Sequence, residues 1–297
     1  RADRKAEIAT GLHRPHGLTF HDGDLYIADM RNVWRLPMID GSPRISRPVA
    51  ITERGALGPE NGHWTRNVVF APDGEHFYVS IGSAGNIGEE PVPRATIQQF
   101  NADGSGQQTF ASGLRNPVGI AFYPGSDRLF TVVNERDGLG DGLVPDYLTG
   151  VAQDDFYGWP YAYSGSNPQP GFAEKRPDLV AASKIPDLMF EAHSAPIGLT
   201  FYTGDQFPDR YQGGAFVTLR GSWNKATPTG YKVVFVPFSG GQPTGSYETF
   251  ASGWWQSGDQ RARVWGRPTG IAVATDGSLL VSDDTGGEIW QIRYTGE

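Results

Sequence analysis

A repeated pattern constrains the fold of this 297-residue chain more than any other feature. Each copy has a turn, a short apolar run, a turn built on Asp-Gly or a similar pair, and an alternating run typical of a strand. The five copies begin at Gly11, Asn61, Gly113, Ala195 and Gly266. Further β-rich runs follow most copies: VWRL, TIQQF, KVVFVPF and IWQI. Repeats of about 40 to 50 residues with four short strands each are typical of β-propeller blades.

The composition supports one folded domain over residues 1–297. Hydrophobic residues make up 38% and aromatic residues 12%, which is enough for a packed core. The 40 Gly and 22 Pro recur between apolar runs, so they indicate many tight turns. Because helical periodicity is nearly absent, the predicted fold class is all-β. The wider spacing between the third and fourth copies predicts an insertion at about residues 135–190, on the face of the propeller that carries the functional site.

Charge and composition exclude several function classes. The chain has 25 basic and 33 acidic residues, a net charge of −8, and no Lys/Arg run, so nucleic acid is not an expected partner. No apolar run reaches the roughly 18 to 20 residues that span a bilayer. The absence of Cys excludes disulfides, thiolate metal sites, a Cys nucleophile and a CxxCH haem site. The chain begins RADRK, with neither Met nor a signal-peptide core, which predicts a processed form or a piece of a longer protein.

One loop interrupts the regular pattern. Residues 135–147 are rich in Gly and Asp, and the motif YGWP follows shortly afterwards. Long structureless loops in compact domains usually bind a ligand or cover a site. We therefore expect the function to be concentrated near this loop.

Several motifs carry a resemblance to a known family. GLRNPVGIAF, YGWP, FYTG, GSWN and WGRP occur in this order. In them the chain resembles the soluble quinoprotein sugar dehydrogenases: the glucose and aldose enzymes, more closely the L-sorbosone dehydrogenase group, and also the quinone domain of fungal pyranose dehydrogenases. The resemblance covers nearly the whole chain. It implies a six-bladed β-propeller of four-stranded blades that holds pyrroloquinoline quinone (PQQ) and Ca²⁺ on its axis.

Five blades are legible in this sequence. The start, RADRKAEIATGL, resembles the beginning of the family's second blade. We therefore expect the first blade to be absent from this chain, with a five-bladed ring as the alternative.

The resemblance implies PQQ- and Ca²⁺-dependent oxidation of an aldose or related sugar, of the sorbosone or pyranose type, by hydride transfer with a His general base. His63, in NGHWTRNVVF, stands at the family position of that base. A neutral imidazole suits this role near pH 7. A lone His at the start of a strand more often satisfies a turn hydrogen bond, but the motif favours the base. The remaining histidines considered, which are expected to be structural, are His13, His16, His21 and His76.

The expected cofactor carries three carboxylates and an ortho-quinone, which call for Arg or Lys side chains and a cation. By resemblance, Arg115 and Asn116, in LRNP, match the quinone-contacting pair. Arg220, in VTLRGSW, falls where the glucose enzymes have a cofactor-binding Lys, and Arg267, in WGRP, matches an Arg that binds a PQQ carboxylate. His193, in AHSAP, aligns near a further cofactor contact.

The expected metal site departs from the family pattern. The glucose enzymes hold the reactive-site Ca²⁺ with backbone carbonyls of a Gly-Pro just after a Glu, whereas this chain reads Glu135-Arg136-Asp137-Gly138. Asp137 and Gly138 are therefore the candidate Ca²⁺ ligands, since oxygen ligands suit this ion. The loop also carries Asp141 and Asp146, which could hold a structural ion or cap turns.

A second departure concerns the base. Ser83, in SIGSAG, stands where the glucose enzymes carry an Asp that hydrogen-bonds the catalytic His. Without that carboxylate the imidazolium formed during turnover is less stabilised. The sequence thus supports cofactor binding more firmly than activity.

The resemblance further implies a small-molecule sugar substrate, an external electron acceptor such as a cytochrome or quinone, and a periplasmic or secreted location. An alternative function is a propeller lactonase, in which a divalent ion activates water; Glu60, Asn61, Asn134 and Asp283 could hold that ion. A hydrolase of neutral lactones would not need the convergent Arg residues. The remaining alternative is a non-catalytic propeller that serves as a binding module.

Overall fold

The structure is a computed structural model that describes residues 5–39, 42–43 and 47–296, and these residues form a five-blade β-propeller arrangement. Each repeat of the sequence becomes one blade, so the predicted all-β fold class is confirmed. Residues 1–4, part of the segment compared with the start of a second blade, lie outside the described residues. Whether a further blade belongs to the protein stays a prediction.

The first three blades are antiparallel meanders, and blade 2 adds one parallel strand. Blade 1 contains β1 (Gly17–His21), β2 (Asp24–Ala28), β3 (Val33–Leu36), a hairpin of β4 (Met38–Ile39) and β5 (Ser42–Pro43), and β6 (Val49–Ala50). Blade 2 contains β7 (Arg66–Phe70), β8 (His76–Ile81), β9 (Thr96–Asn101) and β10 (Gln108–Ser112). Blade 3 contains β11 (Pro117–Phe122), β12 (Leu129–Val133), β13 (Pro145–Val151) and β17 (Leu188–Ala192). Between β13 and β17 the chain makes an excursion that contains β14 (Asp155–Phe156), β15 (Ala162–Tyr163), β16 (Asn167–Pro168), a 3₁₀ turn (Ala173–Lys175) and helix α1 (Pro177–Ala182).

The last two blades follow the same plan. Blade 4 contains β18 (Pro196–Phe201), a 3₁₀ turn (Asp209–Tyr211), β19 (Ala215–Leu219), β20 (Lys232–Val236), a hairpin of β21 (Phe238–Ser239) and β22 (Gln242–Pro243), and β23 (Glu248–Ala251). A further hairpin of β24 (Trp255–Ser257) and β25 (Arg263–Val264) precedes blade 5, which contains β26 (Pro268–Val273), β27 (Leu279–Asp283) and β28 (Glu288–Ile292). The predicted runs VWRL, TIQQF, KVVFVPF and IWQI overlap the third strand of their blades.

Close backbone approach between inner strands explains why the repeats carry a glycine near their start. A Cβ on Gly17 of β1 would lie 2.6 Å from the Asn67 Cα of β7, and one on Gly119 of β11 would lie 2.8 Å from the Ile197 carbonyl oxygen of β18. Only glycine permits such an approach. In blade 2 the matching position is Asn67, whose side-chain amide donates to the Val118 carbonyl (2.9 Å).

The hydrophobic cores lie between neighbouring blades. One cluster joins blade 1 to blade 2 around Val33 and Phe77, and another joins blades 3 and 4 around Phe130 and Val217. Similar clusters join blades 2 and 3 and blades 4 and 5. The four pairs of consecutive blades thus bury the faces that they turn toward each other, as the repeat pattern requires.

The excursion between β13 and β17 lies within the expected insertion at 135–190, and it runs along the edge of the neighbouring blade. Because β12 and β13 are antiparallel, the chain leaves blade 3 at the end where β12 begins. Its first strand, β14, pairs in parallel with β10, so the excursion climbs the outer edge of blade 2. The excursion thereby reaches the end of the blades at which β12 ends, and there the Trp159 indole N–H donates to the Asn86 carbonyl (3.2 Å). Within the described part of the chain, no helix is long and apolar enough to cross a membrane.

Candidate functional site

One face of the propeller collects the residues singled out by the sequence. Each inner strand starts beside the end of the second strand of its blade, as the pairings Arg66↔Ile81, Pro117↔Val133 and Pro268↔Asp283 show. We call the surface formed by these strand ends the site face. It carries the following residues: His63, Ser83, Arg115, Asn116, Asn134, Glu135, Ser194, Arg220, Arg267 and Asp284.

His63 lies just before β7, and its ring is held in one orientation. Its Nδ1 lies 2.8 Å from the Ser83 carbonyl oxygen and 3.0 Å from the Ser83 Oγ. Because a carbonyl oxygen can only accept, Nδ1 carries the hydrogen and Nε2 keeps its lone pair. The Ser83 hydroxyl itself donates to the Gly85 carbonyl (2.6 Å). A backbone carbonyl therefore orients the imidazole.

The surroundings of His63 favour the neutral ring. Burial, together with the guanidinium groups of Arg115, Arg94 and Arg66, lowers the pKa of His63 from its usual 6.5 to about 4, even though the Ser83 hydrogen bond acts to raise it. At neutral pH the ring is therefore an uncharged acceptor. This is the protonation state that a general base requires.

His63 and Asn116 pack closely around a glycine. A Cβ on Gly82 would lie 2.7 Å from the His63 Cβ and would collide with the Asn116 Oδ1. Asn116 is buried, and its Oδ1 has no hydrogen-bond partner among the described residues. A buried unpaired amide oxygen is costly unless a ligand or water donates to it. Asn116 is thus a residue with an unused acceptor beside His63.

Arg115 is largely committed to the protein itself. Its Nη1 donates to the carbonyls of Asn134 (3.2 Å) and Glu135 (2.8 Å), while Nε and Nη2 donate to the carbonyl and side-chain oxygens of Asn86 (3.0 Å each). These contacts occupy four of the five N–H groups of a guanidinium. Arg115 therefore ties blade 3 to the Asn86 loop and has one donor left for a ligand.

Arg220 and Arg267 keep more of their donors. Arg220 is paired through Nε with Asp284 (2.8 Å), which leaves both Nη atoms without a partner among the described residues. Arg267 lies over the Tyr231 ring, 5.2 Å from its centroid, and makes a long contact of 3.4 Å with the Gly221 carbonyl. Two partly exposed guanidinium groups from blades 4 and 5 are thus available to an anionic ligand.

His193 is engaged on both sides of its ring. Nδ1 lies 3.0 Å from the Asp137 Oδ1 and Nε2 lies 3.0 Å from the Gly140 carbonyl oxygen. The ring therefore fastens the 135–144 loop, and neither nitrogen is left for a cofactor. His193 has a left-handed backbone (φ 68°), which costs free energy in a residue other than glycine, and the same segment is held by Asp146, which accepts from the Ala195 N–H (2.8 Å).

The candidate calcium ligands are partly occupied. The Asp137 carbonyl accepts from the Asn86 Nδ2 and the Arg136 Nε (both 2.9 Å), and Asp137 Oδ1 contacts His193. Among the contacts of the described residues, Asp137 Oδ2 and the Gly138 carbonyl remain free. These two oxygens are compatible with a hard cation but do not complete its usual six to eight ligands.

Two carboxyl groups lie buried behind this loop. Burial raises the pKa of Glu135 to about 7 and the pKa of Asp146 to about 6. Asp146 accepts from the backbone N–H of Glu135 (2.8 Å), so it joins the end of β12 to the start of β18. Asp146 is therefore a structural acceptor rather than a free cation ligand.

The other residues considered from the sequence have partners of their own. Glu60 is paired with Arg31 (2.9 Å), Asn61 accepts from Arg94 (2.6 Å), and the Asn134 amide donates to the Pro196 carbonyl (2.7 Å). Among the described residues, the group of acids and histidines close enough to share a metal is Asp73, Glu75 and His76. It lies in the β7–β8 turn, on the face opposite the site, where its residues are mostly exposed.

Sequence reasoning missed two buried arginines, Arg66 and Arg94, whose side chains lie under the His63 loop. For Arg66 a signal existed: in RNVVF it shares the strand period of two with Val68 and Phe70, which are core residues. Nothing comparable marks Arg94.

Comparisons with known proteins bear on the family and the fold of this chain. The family model described as "Glucose / Sorbosone dehydrogenase" matches residues 29–221, and the one described as "TrAA12-like" matches residues 173–295. An uncharacterized protein of Borreliella burgdorferi is 30% identical over 300 residues, which cover 97% of this chain and 77% of that protein. The pyrroloquinoline quinone-dependent pyranose dehydrogenase of Coprinopsis cinerea is 28% identical over 293 residues, which cover 78% of this chain and only 39% of that enzyme.

Two solved structures share the fold. The calcium structure of the Trichoderma reesei family AA12 enzyme has a TM-score of 0.74 at 20% identity and covers 92% of this chain and 79% of its own. The holo form of the Coprinopsis cinerea pyranose dehydrogenase PQQ domain has a TM-score of 0.65 at 20% identity and covers 97% of this chain and 94% of its own. At such identities the likeness establishes the fold alone.

Proposed function

The chain belongs to the glucose/sorbosone dehydrogenase family, and from that premise we propose that it is a PQQ- and Ca²⁺-dependent sugar dehydrogenase with His63 as its general base. The observation that carries the proposal is the His63 ring, which is partly buried, is held by Nδ1, and has no partner for Nε2 among the described residues. The substrate class is an aldose or related sugar of the sorbosone or pyranose type, and electrons leave to an external acceptor such as a cytochrome or quinone.

The proposed chemistry at this chain's residues is a proton transfer. Oxidation of a sugar at its anomeric carbon breaks the C–H bond, whose hydrogen and electron pair depart as hydride, and the O–H bond, whose proton moves to His63 Nε2. The product is a lactone. Because the guanidinium charges of Arg115, Arg94 and Arg66 disfavour the imidazolium, the proton is expected to leave His63 readily for solvent once the product departs.

The residues fit an anionic quinone. PQQ supplies a two-electron acceptor for the hydride when it is bound. Arg220 and Arg267 have donors free for its carboxylates, Arg115 has one, and Asn116 has an unpaired amide oxygen. His193 would act through the 135–144 loop, since both its nitrogens are engaged. Asp137 and Gly138 remain the proposed Ca²⁺ ligands.

The lactonase alternative receives less support. Glu60, Asn61 and Asn134 each have a protein partner that draws them away from a common metal. A neutral lactone also gives the partly exposed Arg220 and Arg267 no counter-charge. By family analogy a periplasmic or secreted location accompanies the proposed oxidation.

A direct experiment titrates chelator-treated protein with PQQ in the presence of Ca²⁺ and follows the quinone absorption, then adds an aldose. We expect saturable binding, and bleaching of the quinone when sugar is added. Lactone hydrolysis without added quinone would instead favour the hydrolase. A protein that neither binds PQQ nor hydrolyses lactone would be a binding module, and the proposal would fail.

A further inference from the structure

A guanidinium group lies fully buried beneath the loop that carries His63. Arg66, the first residue of β7, has no solvent exposure. Its Nη1 donates to the carbonyls of His63 (2.8 Å) and Thr65 (2.9 Å), and its Nη2 donates to the carbonyl of Leu57 (3.2 Å). Each acceptor is a backbone oxygen of the same loop, so this buried charge is used as an anchor for the chain before β7.

A second buried guanidinium continues the pattern. The Arg94 Nη2 donates to the carbonyls of Pro59 (2.5 Å) and Asn61 (2.8 Å), and its Nη1 donates to the Gly82 carbonyl (3.1 Å). Together the two arginines bind the carbonyls of every second residue from 57 to 65. Carbonyls outside a strand ladder are satisfied by such donors. The two side chains thus replace the missing strand partner of this loop, and Arg94 joins it to the end of β8.

The two arginines also act on the charge of the imidazole. Arg66, Arg94 and Arg115 are the charged groups that influence the pKa of His63, and all three are cations. The other groups packed against the ring, Ser83, Gly82 and Asn116, are neutral. A protonated His63 would therefore face positive charge without a carboxylate partner.

We propose that Arg66 and Arg94 are positioning residues for His63: their hydrogen bonds to backbone carbonyls fix the 57–65 loop so that Nε2 points to the site face. The catalytic consequence rests on the proposed function of His63 as the base. The structural consequence does not, because it concerns only the loop and the imidazole in the protein without cofactor.

The test substitutes Arg94, because Arg66 lies deeper in the core. Arg94→Met removes the donors and the charge, and Arg94→Lys keeps the charge without the fork. The control is Arg128→Met, since Arg128 also donates to a backbone carbonyl, that of Gly241 (2.6 Å), but lies at the opposite face. NMR on the cofactor-free proteins measures amide hydrogen exchange in the 57–65 loop and the protonation midpoint of His63.

We expect loop exchange at least tenfold faster in both Arg94 variants and unchanged in Arg128→Met. The protonation midpoint of His63 should rise in Arg94→Met, since one of the smaller causes of its low pKa is removed, and stay nearly constant in Arg94→Lys. If Arg94→Met does not fold, Arg94→Lys alone decides the positioning role through the exchange rates. Unchanged loop exchange in a folded Arg94 variant would overturn the inference.

A loaded-enzyme assay separates the inference from the proposed function. With PQQ, Ca²⁺ and an aldose, Arg94→Lys should lower kcat more than it changes KM, because the base is displaced while the sugar contacts remain. If wild type shows no sugar oxidation but the NMR effects occur, the proposed function fails and the positioning role stands. If oxidation occurs but the loop and His63 do not respond to the Arg94 variants, the positioning role fails.

Discussion

Replacing Ser83 with Asp should restore a negative charge beside the base and raise the pKa of His63. The Ser83 Oγ lies 3.0 Å from His63 Nδ1, so a carboxylate there would place its charge about 4 Å from the ring. At an effective dielectric of about 20, two unit charges at that distance attract by about 4 kcal/mol, or about three pKa units. Ser83 is fully buried, and the desolvation of the new carboxylate reduces this gain. We expect a net rise of about one to three units from the present value of about 4.

The assay is an NMR titration of the imidazole C–H signals in the cofactor-free protein, in which the spectrum of His63→Gln assigns the His63 resonance among the six histidines. Ser83→Asn is the matched control, because it has nearly the shape of Asp without the charge. In Ser83→Asn the pKa of His63 should stay near 4. In enzyme loaded with PQQ and Ca²⁺, the acid limb of kcat/KM should move upward with the pKa in Ser83→Asp only.

Two results would contradict this prediction. A wild-type His63 that titrates near its ordinary pKa of 6.5 would mean that the buried, cation-rich environment is wrongly described. A folded Ser83→Asp variant whose His63 pKa equals that of Ser83→Asn would mean that the side chain at position 83 does not face the ring.

Three further outcomes follow from the same geometry. Arg267→Ala should weaken PQQ binding about 10- to 100-fold in an absorption titration, since it removes one charged hydrogen-bonding group, while Arg263→Ala, on the exposed strand β25, should not; equal affinities would remove Arg267 from the site. His63→Gln should bind PQQ normally and lose sugar turnover; full activity in that variant would exclude the base role. Burial lowers the pKa of His16 to about 4, so between pH 6.5 and 4 the unfolded chain takes up a proton that the folded protein does not, and the free energy of unfolding falls across that window. In urea unfolding, His16→Gln should remove about 2 kcal/mol of the loss between pH 7 and 4.5. An equal loss in both proteins would contradict this assignment.

The fold was predictable from the sequence because its information is local and repeated. Each blade requires only an alternating run, a tight turn and another alternating run, and five copies of that pattern leave few other architectures. The course of residues 152–187 was not predictable, because β14 adds to the edge of a blade that is distant in sequence. The spacing of the repeats locates the excursion, but no periodic pattern in the sequence predicts that β14 pairs with β10.

The residues of the proposed site stay a prediction from the sequence motifs, and their hydrogen-bond partners were less predictable than their identities. Motifs single out Arg115 and His193 as ligand contacts. In the structure, however, most N–H groups of Arg115 donate to backbone carbonyls, and both ring nitrogens of His193 contact the 135–144 loop. Such contacts depend on which carbonyls lack a strand partner, and that is a property of loop conformation. The buried position of Arg66 was visible in its strand alternation, whereas its three acceptors were not.

The distribution of charge across the site face indicates what a serine, in place of a carboxylate, does at position 83. On blade 2 the ring of His63 is surrounded by guanidinium groups and oriented by a neutral carbonyl, while the buried carboxyls Glu135 and Asp146 lie on blade 3, with pKa values raised to about 7 and about 6. A carboxylate beside His63 would neutralise part of the positive field that Arg94 and Arg115 impose. With a serine in that place, the positive field is retained, and the proposed base His63 stays neutral without an acidic partner. Arg115 thus contributes both to the neutral state of His63 and to the attraction for an anionic ligand, so a carboxylate at position 83 is expected to raise the pKa of His63 and to weaken that attraction.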